Sequence, residues 1–503
     1  MTRGHGALVF PLWQVSAAMR QNAEPGDASS MSNAATFGPR AALRRAYATR
    51  STAVLAKAAF FSLLLLAGCA TFNKPVNVPV AAGASPMAQF MPPDVGGDTA
   101  VALAFSGGGT RAAAFSFGVL RGLDRVQTRG GKSYLDRVIF VSGVSGGSIT
   151  AAYYGLKGRA ALADFRERFL IRDGEENLNT TVSLGNLARG LDGGVNDATR
   201  FPAWLDRNLF DNATLGDLFQ PGKPLVWINA SDLYNRTPFL FSTETFAALC
   251  SDIRKYPLSN AVAASAAVPV AFVPTVLESF PTACSTPLPP WVNRVLADRN
   301  AGAQVRAFAE ALKHYREPGQ IEYLKLADGG ITDNFGLSGL VIARAAADKP
   351  YFPLTPEKAV RLRRIVFVVV NAGKAPEGNW SHTIQGPSGT DLLNAVTDTA
   401  VNSAVRSGYD AFRLSLHDWE DSIRKWRCGL PQAEARRLGA EGDWRCSSFT
   451  FQVVQVGFDQ FDPQRAAKLS SIPTRLKLPT DDVDLLIQSG SEAVLENAAF
   501  KAQ

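Results

Sequence analysis

Short apolar runs that stop abruptly at small or polar residues set the narrowest limit on how this chain can fold. "VALAF" runs into "SGGG", "RVIF" into "VSGVSGGSIT", "PLVWI" into "NASD", and "RRIVFVVV" into "NAG". Runs of strand length with no polar alternation suit strands covered on both faces, as in a parallel sheet. Between them, Thr110 to Arg125 reads as a helix with Phe115, Val119, Leu120 and Leu123 on one side, and "GSITAAYYGL" opens a second. Strands alternating with helices predict an α/β fold: a mainly parallel central sheet with helices on both faces, three layers in all. "SFTFQVVQVGF" (448–458) reads as a late strand, and "TDDVDLLIQSGSEAVLENAA" as a closing helix capped by Thr480. The charged stretch from Trp419 to Cys446 reads as a loop-like insertion, at about 416–447. In such sheets chemistry sits beyond the carboxyl ends of the strands, and "SGGG", "SGVSGG" and "NASD" all fall there.

The amino-terminal segment is of a different kind. The chain has 503 residues and a formal charge of +7, but seven Lys or Arg and only two acids lie before residue 70. The remainder holds 45 basic and 43 acidic side chains, too even a balance for a nucleic-acid partner. Arg44, Arg45, Arg50 and Lys57 precede an apolar run from Ala58 to Ala67, too short to span a bilayer comfortably. It ends in Leu66-Ala67-Gly68-Cys69, like a bacterial lipoprotein signal box in which the Cys69 thiol is lipidated. Ala70 and Thr71 follow, rather than an aspartate, which favours outer-membrane sorting, facing the periplasm. Residues before about Met31 make a poor signal start, as if translation began downstream. No later stretch reaches 18 apolar residues, so a lipid is the expected anchor. The expected division is signal segment 1–69, a Pro- and Gly-rich flexible tether 70–98, and one folded domain 99–503.

Within that domain three glycine-marked turns carry chemistry. Gly143-Val144-Ser145-Gly146-Gly147 follows an apolar strand and precedes a helix, the setting in which a sharp turn presents a serine as a nucleophile. Gly107-Gly108-Gly109-Thr110-Arg111 likewise joins a strand to a helix, and its free N–H groups suit the oxyanion of acyl transfer. A nucleotide loop is a poor match, since no Lys-Ser/Thr follows and GxGxxG is absent. For a base, His314, His382 and His417 lie in no glycine-flanked turn, whereas Asp328 in "LKLADGGITDNFG" ends a short apolar run beside Gly329 and Gly330. A buried carboxylate there could take the serine proton directly.

Taken together, "SGGGTR", "GVSGG" and "DGG" resemble the three signatures of the patatin-like phospholipase family, in order and approximate spacing, with "NASDL", "SAAVPVAFVP" and the Asp333-Asn334 pair also similar. The resemblance covers roughly 99–415. It implies a lipid acyl hydrolase with a Ser–Asp dyad: Ser145 as nucleophile, Asp328 as base, and Gly107, Gly108, Gly109 and the Gly146 amide as oxyanion donors. Arg111 matches the basic residue of that loop; Ala112 departs from the pattern, where a further glycine is common. No cofactor or metal is implied, and the partners are a lipid ester and a membrane. Two other readings compete: an α/β-hydrolase triad of Ser145, Asp328 and His382 or His417, and an inactive envelope lipoprotein acting in assembly or partner binding. Four cysteines remain besides Cys69. In an exported protein the shortest pairings are Cys250 with Cys284 and Cys428 with Cys446.

Overall fold

The computed structural model describes residues 73–81, 92–176, 178–179, 193–375 and 378–501. Contacts divide the chain into Met1–Cys69 and Ala70–Gln503. The first unit, with the expected signal segment and Cys69, lies outside the described residues.

The second unit is built on one eight-stranded sheet. Its strands are β1 (Thr99–Phe105), β2 (Val138–Val144), β3 (Leu225–Asp232), β4 (Thr237–Leu240), β5 (Thr275–Glu278), β6 (Tyr323–Asp328), β7 (Arg364–Asn371) and β8 (Thr450–Gly457). The order is β5-β6-β3-β2-β1-β7-β8, with β4 also paired to β3. β8, β7, β1, β2 and β3 run parallel, β4 and β6 pair antiparallel with β3, and β5 pairs antiparallel with β6. The continuous apolar runs have a direct cause. Val101, Leu103 and Phe105 of β1 face one core, and Ala100, Ala102 and Ala104 face another. β7 divides in the same way, Val366, Val368 and Val370 on one side and Ile365, Phe367 and Val369 on the other. With both faces covered, period-two alternation has no role.

Among the helices that cover the sheet or border its sites are α1 (Gly109–Arg125), α2 (Gly146–Lys157), α3 (Ser338–Ala346), α4 (Gly389–Cys428) and α5 (Thr480–Leu495). α1, α2 and α5 cover the first face through Phe115, Ile149 and Leu486, and Phe412, Leu416 and Trp419 of α4 cover the second. Where α1 meets α5 the backbones touch. A Cβ on Gly118 would overlap the Ile487 carbonyl, and one on Gly490 the Phe115 carbonyl.

The structure differs from the sequence-based expectation at three places. The stretch Trp419–Cys446 is not loop-like at its start, because α4 runs through to Cys428. Phe412, Leu416, Trp419 and Ile423 are all buried, a helical spacing that crosses the expected boundary. Thr480 is the first residue of α5 rather than its cap, and Pro479 occupies the cap position. The expected tether, in its described parts, lies on the body. The Val80 amide donates to the Cys250 carbonyl at 2.9 Å, and Asn77 Nδ2 to the Glu278 carbonyl at 2.8 Å. Further on, Arg137 Nη1 donates to the Val95 and Gly96 carbonyls, both at 2.8 Å.

The α1–α5 contact yields a stability prediction. Gly118→Ala or Gly490→Ala must push the two helices apart, at a cost of about 1–3 kcal/mol. Denaturant midpoints measure this, and unchanged midpoints in both variants would show that the helices do not approach so closely.

Candidate active site

β3 brings the two chemical residues together by its register. Along one edge it pairs with β4, from Asn229↔Leu240 to Asp232↔Thr237. The other edge is therefore shared: β2 holds it as far as Asn229↔Val144, and β6 takes over at Ala230↔Asp328. β2 and β6 thus meet end to end, so the residue after Val144, which is Ser145, arrives beside Asp328.

Ser145 turns the chain sharply. Its φ of 51° and ψ of −123° lie where few side-chain-bearing residues are found. Hydrogen bonds hold it there. Its N–H donates to Ser265 Oγ at 2.9 Å, and its carbonyl accepts from the Ser148 amide at 2.9 Å and Ser148 Oγ at 2.6 Å. The flanking glycines are required by close approach. A Cβ on Gly146 would overlap the Gly109 carbonyl, and a Cβ on Gly147 would lie 2.5 Å from both the Phe105 and Ser106 carbonyls. The elbow after β2 is therefore pressed against the glycine loop after β1, with no room between them for a side chain.

Asp328 is just as constrained. Its amide donates to the Ala267 carbonyl at 2.8 Å, and its carbonyl accepts from Ser231 Oγ at 2.8 Å. Its Oδ1 accepts the Gly330 amide at 2.8 Å, and the Ser145 side chain lies close enough to favour the ionised carboxylate. Burial pushes the Asp328 pKa up to about 6, with the Gly330 hydrogen bond and the nearby Ser145 side chain opposing the rise. A carboxylate poised there is ionised at neutral pH yet basic enough to take a proton in a transition state.

Ser265, the last residue of the short helix Leu258–Ser265, ties both sides together. Its hydroxyl accepts the Ser145 amide and donates to the Asn229 carbonyl at 2.6 Å, while its own carbonyl accepts the Gly329 amide at 3.1 Å. Sequence reasoning assigns it no role. Its only signal is a small hydroxyl residue ending an alanine-rich helix.

The glycine loop is placed as expected but is used differently. The Gly107 amide, expected among the oxyanion donors, donates instead to the Asn334 carbonyl and to Asn334 Oδ1, both at 3.2 Å. A Cβ on Gly107 would stand 3.2 Å from Ser145 Cβ, so the loop does border the serine. The amides of Gly108, Gly109 and Gly146 have no acceptor among the described residues and remain free for an oxyanion. Gly108 and Gly109 have φ of 139° and 59°, which favour glycine. Arg111 is buried and braces this turn, Nε donating to the Ala372 carbonyl at 3.0 Å and Nη1 to the Ile472 carbonyl at 2.6 Å. The Thr110 amide adds a third tie, to the Arg475 carbonyl at 2.8 Å.

No histidine joins this group in the hydrogen bonds of the described residues. His382 is exposed, His417 lies 3.8 Å from Asp421 on α4, and His314 Nδ1 bonds Asn235 Oδ1 at 2.7 Å. No cluster of metal-ligating side chains occurs among the described residues. Away from the site, Cys250 is bonded to Cys284 and Cys428 to Cys446.

Residues 103–341, which contain the glycine loop, Ser145 and Asp328, match the model of the patatin-like phospholipase family. Among solved structures, human GIVD cytosolic phospholipase A2 is similar at 12% identity and a TM-score of 0.40, covering 80% of this chain and 62% of that one. The same enzyme in complex with methyl gamma-linolenyl fluorophosphonate is similar at 13% identity and a TM-score of 0.35, covering 80% and 59%. The chain thus spans about three fifths of the length of these structures. No curated protein matches it.

Ser145→Ala and Asp328→Asn should each lower ester hydrolysis about a thousandfold or more, while His382→Ala and His417→Ala retain most of it; steady-state assays decide, and collapse in a histidine variant would restore the triad. The pH dependence offers a second test. Asp328 must be ionised to act as base, so turnover is low in acid and rises through about pH 6 to a plateau. For stability the sign is opposite. The folded value of about 6 lies above the ordinary 3.8, so the folded protein holds this proton more tightly. The contribution is favourable in acid and is lost as pH rises through that window. Asp328→Asn should therefore melt higher than the parent at pH 8, and an equal or lower Tm would contradict the buried, ionised carboxylate.

Proposed function

We propose that this chain, with a patatin-like phospholipase domain at residues 103–341, hydrolyses fatty-acyl esters of lipids, in the manner of a phospholipase A or lysophospholipase, through a Ser145–Asp328 dyad. The observation that carries the reading is the end-to-end meeting of β2 and β6 on β3, which sets Ser145 against the buried Asp328 carboxylate, with no histidine bonded to either among the described residues. Asp328 takes the hydroxyl proton as Ser145 Oγ attacks the ester carbonyl. The negative charge that develops on the carbonyl oxygen is met by the amides of Gly108, Gly109 and Gly146, at the positive ends of α1 and α2. Collapse of the intermediate expels the alcohol, which receives the proton from Asp328 and leaves an acyl-Ser145 ester. Water then repeats the sequence: Asp328 deprotonates it, it attacks the acyl carbon, and the fatty acid departs as Ser145 regains a proton.

An apolar substrate is supported by the loop that follows Ser265. Ala267 receives the Asp328 amide, yet Val268 and Val270, close beside it, are 44% and 47% exposed. Ser145 and Asp328 are themselves only 6% and 8% exposed. Exposed valines this close to the two residues suit an apolar entry, and an acyl chain gains by covering them. The anchoring reading completes the proposal. A lipid on Cys69 would hold the enzyme at the outer membrane, facing the periplasm, where such esters are concentrated.

The test is release of free fatty acid from vesicles of defined phospholipid and lysophospholipid, read by mass spectrometry. Val268→Asp and Val270→Asp should raise the apparent KM on vesicles about tenfold or more, the scale of losing one or two buried apolar side chains, with little change on a soluble short-chain ester. No fatty acid from any lipid would overturn the hydrolase reading. Equal losses on both substrates would overturn the role given to the valines.

A further inference from the structure

A cavity of about 760 Å³ lies away from Ser145, against the amino-terminal half of β3. Leu225, Val226 and Trp227 line it, whereas Ser145 comes in beyond Asn229 of the same strand. None of Ser145, Asp328 or the glycine loop reaches it. The volume is that of a small-molecule site. Its walls are largely aromatic and aliphatic, with Trp227, Phe241, Trp291, Phe308 and Ile342 all contributing.

The cavity is framed by rigid parts. α3 forms one wall through Gly339, Ile342 and Ala343, and a Cβ on Gly339 would stand 2.9 Å from the Trp227 ring. The segment Thr286–Pro290, with prolines at 287, 289 and 290, forms a lip. The Cys250–Cys284 disulfide ties the base of that lip to the residue just past the short helix Thr243–Ala248, which supplies the facing wall. A preformed, stapled space of this kind binds without much ordering cost.

Among the polar groups that line the cavity, with Ser242, Thr243, Thr286 and Asn293, is one carboxyl held by an aromatic wall residue. Glu244 accepts the Trp291 indole N–H at 2.6 Å, and this is its only hydrogen bond among the described residues. Its pKa is raised, because burial disfavours the charged carboxylate and the indole only partly compensates. A carboxyl with spare acceptor capacity in an apolar wall is costly unless a donor reaches it. The charged groups that line the cavity besides it, Arg294 and Asp348, are exposed.

We propose that this cavity is a second ligand site, which takes an amphiphile: an apolar chain in the aromatic-walled space, and a hydrogen-bond-donating head, hydroxyl or ammonium, on the carboxylate of Glu244. The proposal does not depend on the hydrolase reading. An acidic head is disfavoured there, because two carboxylates would share one desolvated position.

The experiment uses the full-length chain carrying Ser145→Ala, titrated with dodecylamine, dodecanol and dodecanoic acid below their micelle concentrations. Binding is read by calorimetry and by tryptophan fluorescence, since Trp227 and Trp291 line the space. The amine and the alcohol should bind saturably at one site, with the acid about tenfold weaker or more, the scale of a hydrogen bond to a charged group. Adding Glu244→Gln should weaken the amine by a similar factor and spare the alcohol. Adding Ala343→Trp, which fills the space from α3, should abolish both while circular dichroism stays native. The proposal is overturned by no saturable binding, by binding that survives a folded Ala343→Trp protein, or by amine affinity unchanged in Glu244→Gln. Should Ala343→Trp not fold, the Glu244→Gln comparison decides alone.

Discussion

The end-to-end meeting of β2 and β6 along one edge of β3 is the constraint on which the rest of the site depends. Two strands running in opposite directions are stopped at adjacent positions, Asn229 and Ala230. The residue after Val144 must then lie against the residue that ends β6. Ser265 fixes the junction from the side, since one residue bonds the Ser145 amide, the Asn229 carbonyl and the Gly329 amide. The glycines of both turns are a consequence. The β1 and β2 turns are pressed so closely that Gly146 and Gly147 have only backbone beside them. Removing any partner would leave a buried polar group without its bond, a larger loss than the bond itself contributes.

This junction stores unfavourable terms that the surrounding structure has to offset. Ser145 sits in a sparsely populated backbone region, and Asp328 is a buried carboxylate whose ionised form is disfavoured. In the proposed mechanism both terms serve the chemistry. The turn lifts the hydroxyl clear of its own helix, and the raised pKa brings the carboxylate nearer to that of a useful base. The compensation is visible in the sheet, where both faces of β1 and β7 are buried by apolar side chains.

The sheet is legible in the sequence because two-sided burial writes itself as uninterrupted apolar runs, and the turns because close backbone approach admits only glycine. Ser145 and Asp328 are legible because each ends such a run beside glycines. The rest depends on contacts between distant segments. Nothing in "SAAVP" says that Ser265 reaches the residue after β2. The spacing of "SGGG" likewise cannot show that the Gly107 amide is taken by Asn334, which is 227 residues away. The length of α4 is hidden for a local reason: charged residues between Trp419 and Cys428 obscure an apolar spacing that continues through them. The cavity beside Glu244 has no signature at all, since its walls come from segments scattered between Phe219 and Phe352.

The central claim is that Ser145 is a nucleophile activated by Asp328 alone. Its most direct test is reaction with a fluorophosphonate, in which the serine oxygen bonds to phosphorus and fluoride leaves, followed by peptide mass spectrometry. The account predicts one adduct, on the peptide that contains Ser145, formed more slowly below about pH 6 and almost absent in Asp328→Asn. An adduct on another serine, or a Ser145 adduct that forms as fast in Asp328→Asn as in the parent, would contradict it.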